Sequence, residues 1–306
     1  MPVHYDFAIE DDTAGLRLDQ FLTDSLPGVS RSQVQKLIRE GAVQINGLTL
    51  KASYRLEPGD RIAVALPDEA PVEVLAETIP LDVIYEDGDL AVINKPAGMV
   101  VHPAEGNLSG TLVNAALARW PQIAAVGEEG RAGIVHRLDK DTSGVILLAK
   151  TPEALEALQA QFRERTVSKM YIALVEGVPS SSTGIIDAAI GRDPKQRKKM
   201  HITRDGRESQ TRYTLIEDFD TNALLEIEPY TGRTHQIRIH LAWLGHPVVG
   251  DTVYGFRKQR IRMKRLFLHA ARLEVTSPST GERLRFEAPL PASLLDTLDK
   301  LRRHMV

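Results

Sequence analysis

The 306-residue sequence contains no cysteine. That excludes disulfides and thiolate metal sites and is compatible with a reducing compartment. No window approaches the ~18 consecutive apolar residues that a membrane-spanning helix needs. The opening MPVHYDFAIEDD is acidic and lacks the basic segment and apolar run of a signal peptide, so a cytoplasmic protein with no membrane association is expected. No repeat of fixed period and no low-complexity tract interrupts the chain. There is no positive net charge either: the formal total is −3, which by itself argues against a nucleic-acid binder.

The distribution of charge argues the other way. Arg and Lys crowd into RDPKQRKKMHITRDGR (192–207) and RKQRIRMKR (257–265), while acids gather in PDEAPVEVLAE (67–77) and at the N-terminus. A chain with segregated charge can bind a polyanion locally at a neutral total. Hydrophobic residues at 42% and charged residues at 26% describe an ordinary globular protein, and the length accommodates a small domain beside a large one.

Residues 15–66 read as a small domain. Leu16, Leu18, Phe21, Leu22 and Leu26 follow roughly helical spacing. A second helix opens with Ser30 as N-cap, carries the apolar stripe Val34, Leu37 and Ile38, and closes at Gly41. Arg31, Lys36 and Arg39 are left to face solvent or phosphate. AVQINGLTL reads as strand, Asn-Gly turn, strand, and LEPGDRIAV adds a final turn and strand. Residues 67–80, acidic and punctuated by Pro, form the expected linker. Over 81–306, short β-like runs (LDVIYED, LAVINKP, GIVHRL, GVILLAK, KMYIALVEG, RYTLIEDF, ALLEIEPY, RLEVTS) alternate irregularly with helical stretches. One of these begins with Thr151 and Pro152 as an N-cap and N1 pair. This mixture predicts an α+β domain on a large mixed or antiparallel sheet flanked by helices and loops.

Three stretches concentrate reactive side chains. HRLDKDTSG (136–144) sets Asp139 and Asp141 among basic residues between two apolar runs. SKMYIALVEG carries Tyr171 into a strand, and EPYTGRTHQIRIHLAWLGHPVVGDTVYG gathers Arg233, His235, Arg238 and His240. Each has a plain structural reading: a capped turn, a surface aromatic, solvated cations, satisfied histidines. A zinc site from His235, His240 and His246 is disfavoured without Cys or an H-x-x-x-H pattern.

Taken together, these stretches resemble the RluA-type RNA pseudouridine synthases. RLDQFL, SRSQVQKLIREGAVQING and LEPGDRI resemble the S4 RNA-binding domain. YEDGDLAVINKPAGMVVHP and RLFLHAARLEVTSP extend the likeness across nearly the whole chain. The S4 domain makes the chain most similar to the large-subunit ribosomal RNA synthase D subgroup. The resemblance implies cofactor-free, metal-free isomerisation of uridine to pseudouridine in large-subunit ribosomal RNA. The favoured target is the helix 69 stem-loop, which contacts the small subunit, and no obligate protein partner is implied.

The resemblance also assigns roles. Asp139, three residues after the motif His, becomes the catalytic carboxylate, Arg238 its ion-pair partner and Tyr171 the residue stacked on the target base. Arg137 holds the space the flipped base leaves, and Arg233 and His235 join Arg31, Lys36 and Arg39 as RNA contacts. His136 orients the loop and Asp141 is structural. Two other readings use the same residues: a non-catalytic RNA-binding or ribosome-assembly protein, and an N-glycosidic hydrolase.

Overall fold

The computed structural model describes residues 3–26, 29, 31–66, 74–104, 107–128, 130–193, 196 and 199–304. Ser30, half of the expected linker (67–73), and Pro194, Lys195, Arg197 and Lys198 of the first basic run lie outside them. The chain divides into two compact units, Met1–Glu73 and Val74–Val306.

The first unit runs β1 (Val3–Ala8), α1 (Leu18–Ser25), α2 (Arg31–Arg39), β2 (Val43–Ile45) and β3 (Arg61–Leu66). Its three strands pair antiparallel in the order β1-β3-β2. Strand β1 precedes the residues at which the sequence reading begins this domain. Gly41 (φ 79°) ends α2 in the left-handed region, with the Ala42 N–H donating to the Leu37 carbonyl. Asn46 and Gly47, both at positive φ, make the tight turn that their sequence predicts. Leu18, Leu22, Val34, Leu37, Ile38, Ile45 and Ile62 form one core.

The second unit contains β4 (Val83–Glu86), β5 (Leu90–Lys95), α3 (Leu112–Arg119), β6 (Ser143–Ala149), α4 (Pro152–Arg163), β7 (Ser168–Glu176) and β8 (Thr183–Asp187). It continues through β9 (Ile190–Arg192), β10 (Met200–Ile202), β11 (Gln210–Asp218), β12 (Asn222–Pro229), α5 (Gln236–Trp243), β13 (Leu268–Thr276), β14 (Arg283–Glu287) and α6 (Ala292–His304). A nine-stranded sheet runs β4-β5-β6-β13-β7-β12-β11-β8, with β14 also pairing β13; β9 and β10 form a separate hairpin. The sheet is mixed because β13 pairs β6 in parallel and its other neighbours antiparallel.

Strands β5 and β6 are buried on both faces, which explains their uninterrupted apolar runs. Val92, Val145 and Leu147 pack with α4 on one face, through Ala154, Leu155 and Leu158. Ala91, Ile93, Ile146 and Leu148 pack with α3 on the other, through Leu112, Val113 and Ala116. Helix α4 opens as read, with the Thr151 hydroxyl accepting from the Ala154 N–H and Pro152 in its first turn.

Two expected β-runs are not strands. After the Asn46–Gly47 turn, the exposed Leu48 makes only a single bridge, back to Ile45. Within GIVHRL, only Ile134 makes a single bridge, to Leu148. Gly133 enters at φ 68°, and the side chains then diverge. His136 stacks on Phe162 of α4, with ring centroids 4.6 Å apart, and Leu138 enters the α3-side core. Residues two apart share one face of a strand, so a segment that sends His136 to the α4 layer and Leu138 to the α3 layer cannot keep a ladder.

Candidate active site

Asp139 sits on the turn between this irregular segment and β6, and the turn is pinned from several sides. Its carbonyl accepts from the Thr142 N–H at 3.1 Å, and the next carbonyl, of Lys140, accepts from the Gly98 N–H at 2.8 Å. Lys95, at the end of β5 and fully buried, donates its ammonium to the carbonyls of Pro96, Met99 and Lys140 at 2.9, 2.9 and 3.1 Å. Burial pushes this lysine down to about 8, against the attraction of Asp141. Gly144 follows at φ 115°, where an added Cβ would lie 2.1 Å from the Ala270 carbonyl oxygen. Only glycine lets β6 approach β13 this closely.

His136 lines the edge of the cleft that Asp139 also lines, but its ring is engaged with the fold. Its Nε2 accepts the Leu147 N–H at 3.1 Å, which puts the proton on Nδ1. Burial, aided by Lys169, pushes the ring down to about 3. It is a neutral strut joining the loop to β6 and α4.

The Asp139 carboxylate meets α5. Arg238 donates from Nη1 to Asp139 Oδ2 at 3.2 Å. Its other two donors go to Asp251: Nε to Oδ2 at 2.7 Å and Nη2 to Oδ1 at 3.0 Å. Burial works against this charge, but Asp251 and Asp139 together hold the guanidinium above its ordinary value. Asp251 is itself fully buried. Burial would raise it, yet Arg238 and the N–H groups of Tyr254 and Val253 bring it below the usual carboxylate range. The sequence pairs Arg238 with Asp139, and that pair is present, but the two-pronged grip belongs to Asp251 and Asp139 takes the third prong. Gly250 (φ 82°) lets the Asp251 turn close against the Arg265 carbonyl, 2.0 Å from where a Cβ would stand.

His235 precedes α5 in the left-handed region (φ 57°). Its Nδ1 lies 2.9 Å from the Tyr254 hydroxyl and its Nε2 4.0 Å from Asp139 Oδ2. Burial holds the ring below its ordinary value despite the carboxylate. The Tyr254 ring lies under the Arg238 guanidinium at 5.1 Å.

Tyr171 enters from β7, paired to Ile227 of β12 and Ala270 of β13. Its hydroxyl makes no hydrogen bond among the described residues. Burial first, and then Asp139, push its ionisation upward, so the phenol keeps its proton. Asp139, Tyr171, Arg238 and His235 line one cleft of about 550 Å³, with Phe162 and the cations Arg137, Lys169, Arg207 and Arg233 on its walls. This volume falls within the ~300–1,000 Å³ of small-molecule sites. Arg137 is exposed and makes no ion pair among the described residues. Arg233 is partly held, its Nε donating to the Glu208 carbonyl at 3.1 Å.

Of the remaining expected residues, Asp141 is exposed at the turn. His240 is buried, bonded to Thr211 Oγ1 at 2.8 Å and the Ala188 carbonyl at 2.9 Å, and His246 faces the Glu176 carbonyl. These two and His235 do not converge, and no cluster of three metal-ligating groups occurs among the described residues. In the first unit, Arg31 donates from Nε and Nη2 to the buried carboxylate of Asp19, which Arg17 and Gln35 also hold. Lys36 and Arg39 are exposed on α2.

Lys95, Lys169 and Asp251 are site residues that the linear sequence does not single out. Each lay inside a quoted motif, but its role comes from a partner many residues away.

Comparison with known proteins agrees with this geometry. Residues 89–243 match the family model described as RNA pseudouridylate synthase, and residues 16–62 match the S4 domain. The RNA pseudouridine synthase YlyB of Bacillus subtilis is 44% identical over 299 residues, covering 98% of each chain. The ribosomal large subunit pseudouridine synthase D of Pseudomonas aeruginosa is 42% identical over 304 residues, covering 95% of this chain and 94% of that one. Among solved structures, human RNA pseudouridylate synthase domain containing 1 superposes with a TM-score of 0.59 at 29% identity, over 74% of this chain and 96% of its own.

Proposed function

The chain belongs to the RNA pseudouridylate synthase family and carries an S4 domain, and from that premise we propose that it isomerises uridine in large-subunit ribosomal RNA with Asp139 as the acting carboxylate. One observation carries the assignment to Asp139: it is ion-paired to a buried, doubly anchored arginine and opens on the same cleft as Tyr171. Asp141, two residues on, is exposed and lines no part of that cleft.

The reaction is an isomerisation, so no atom is gained or lost. The bond from C1′ to N1 breaks, the base turns, a bond from C1′ to C5 forms, and the proton on C5 leaves as one returns to N1. Asp139 serves as nucleophile or as base towards the sugar. Its ion pair with Arg238 fixes the carboxylate in position at the cleft wall. Tyr171 offers an aromatic face and a protonated phenol beside it. A base within a stem-loop must leave its stack before chemistry begins, at a cost of a few kcal/mol. The exposed planar guanidinium of Arg137 suits the vacated space because it stacks and donates hydrogen bonds at once.

Relatives named for the large ribosomal subunit at about 42% identity support ribosomal RNA as the substrate and a cytoplasmic reaction. Within it, the helix 69 stem-loop is the proposed target. The test is a large-subunit stem-loop RNA incubated with the full chain and analysed as nucleosides. Wild type should yield pseudouridine without free uracil. Asp139→Asn should lose activity by several orders of magnitude or more, while Asp141→Asn should be mild. Release of uracil would make the protein a hydrolase, and binding without conversion would make it a non-catalytic RNA-binding protein.

A further inference from the structure

Asp139 borders two clefts. The second, of about 430 Å³, shares Arg137, Leu138, Asp139, His235 and Arg238 with the first, and then continues past Lys140, Lys264, Arg265 and His102 instead of Tyr171. Its charge is one-sided. Arg137, Lys140, Lys264 and Arg265 form no ion pair among the described residues. The acids on its walls are Asp139, which already receives Arg238, and Asp141.

Arg265 is held as though for a ligand. Its Nε donates to the Leu266 carbonyl at 3.1 Å, and Nη2 donates to Ser143 Oγ at 2.7 Å and the Leu268 carbonyl at 3.3 Å. Behind it, His269 Nε2 lies 3.0 Å from the Ala288 carbonyl, which can only accept, so Nε2 carries the proton. Burial keeps this ring neutral, so Nδ1 accepts from the Ser143 hydroxyl at 2.8 Å. Ser143 therefore presents its lone pairs to Arg265. A half-buried guanidinium is thus fixed by neutral acceptors, with Nη1 unbonded among the described residues. Asp141 attracts this guanidinium without making an ion pair with it, and a desolvated cation with no anion in contact is costly. In the same cleft, His102 Nδ1 is buried with no hydrogen-bond partner among the described residues.

We propose that this second cleft is a subsite for a phosphodiester adjoining the target uridine, anchored by Arg265 with Lys264 beside it. The inference rests on the uridine-isomerising reading of the first cleft and extends it. A carboxylate acting at C1′ must stand between the base and the strand, because the sugar joins them. Two clefts meeting at Asp139 accommodate one on each side. Rigid placement of a planar guanidinium favours phosphate recognition over a mobile surface charge.

The test is equilibrium binding of the full chain to a uridine-containing stem-loop across a salt series. Two further stem-loops carry a neutral methylphosphonate at the linkage 5′ or 3′ of the target. Arg265→Gln should weaken binding about tenfold and flatten the log–log salt slope by roughly 0.7–0.9, the value of one phosphate contact. Lys264→Gln, at an exposed side chain, should act in the same direction without touching the Ser143–His269 relay. It therefore reports even where Arg265→Gln is misfolded. One methylphosphonate should reproduce the loss in wild type, and Lys264→Gln or Arg265→Gln should add little on that RNA. Unchanged slopes in both variants, or fully additive losses at both linkages, would overturn the subsite. Nucleoside analysis of the same mixtures separates the two readings. Pseudouridine without coupling removes the subsite alone, and coupling without pseudouridine removes the isomerase reading alone.

Discussion

At Arg238, three donors are divided between two carboxylates, and an ammonium cannot reproduce that division. Arg238→Lys keeps the charge but loses the planar fork, so Asp251 loses its two-pronged partner while remaining fully buried. We expect single-turnover activity to fall at least a hundredfold, with Asp251→Asn giving a comparable loss although it touches no substrate. A mild Asp251→Asn would separate the anchor from the ion pair. Asp139, Tyr171 and Arg238 were legible because a motif carries their identities. Asp251 was not, since nothing in a linear reading says which of two acids an arginine grips with two nitrogens. Lys169 was hidden in the same way, on the strand that presents Tyr171. Burial, aided by Arg165, pushes it down to about 8, against 10.5 for a free lysine. The folded chain thus pays to keep this proton below pH 8, and the penalty is relieved as pH rises from about 8 to 10.5. Lys169→Met should abolish that part of the alkaline gain in stability, on the order of a few kcal/mol at most. Denaturant titrations of both proteins at pH 7 and 9.5 check it, and parallel changes would refute it.

Among the elements, legibility followed how each one is buried. Helix α4 has an exposed side, a capping threonine and a proline in its first turn, and its start was readable. Helix α5 buries six of its eight residues, so it shows no amphipathic stripe to read, and its sequence was read for its charges alone. The loop before β6 is expected to follow a strand, but His136 and Leu138, two residues apart, go to opposite layers and prevent one. The sequence of helix α2 leaves Arg31, Lys36 and Arg39 to face solvent or phosphate. Arg31 is instead tied to Asp19 on α1, with Arg17 and Gln35 completing the cluster. The hydrogen bond from Arg17, with those from Gln35 and Arg31, holds the Asp19 carboxyl well below the usual range. A depressed acid stabilises the fold above its unfolded-state value, and that stability is lost as pH falls below about 4. Asp19→Asn should destabilise the first unit by about 1.5–3 kcal/mol at neutral pH and remove much of its acid sensitivity. Thermal melts monitored within residues 3–66 test this. A variant as acid-labile as wild type would move the sensitivity elsewhere.

The whole molecule divides its tasks between the two units. The S4 match at 16–62 falls in the first, while every residue lining the Asp139 clefts falls in the second. We expect a chain beginning at Val74 to fold and keep its chemistry. The cut matters to within a residue or two, because part of the expected linker belongs to the catalytic unit. The Leu75 carbonyl accepts from the Asn114 side chain at 2.8 Å, and the Glu77 N–H donates to the Asn114 carbonyl at 2.9 Å. The Glu77 carboxylate also receives the Gly110 N–H. Starting two residues later would remove the first of these ties to α3. The shortened chain should lose the phosphate contacts proposed for Lys36 and Arg39. Arg31, engaged with Asp19, should contribute less to that loss. Each lost contact should lower the log–log salt slope of RNA binding by roughly 0.7–0.9, so the shortened chain should bind more weakly and with less salt sensitivity. At saturating stem-loop it should still form pseudouridine, with looser choice among uridines. A salt series on both lengths, followed by nucleoside analysis, measures each part. An equal slope would take the S4 domain out of the RNA interface, and a folded but inactive Val74 chain would mean that the first unit helps build the active site.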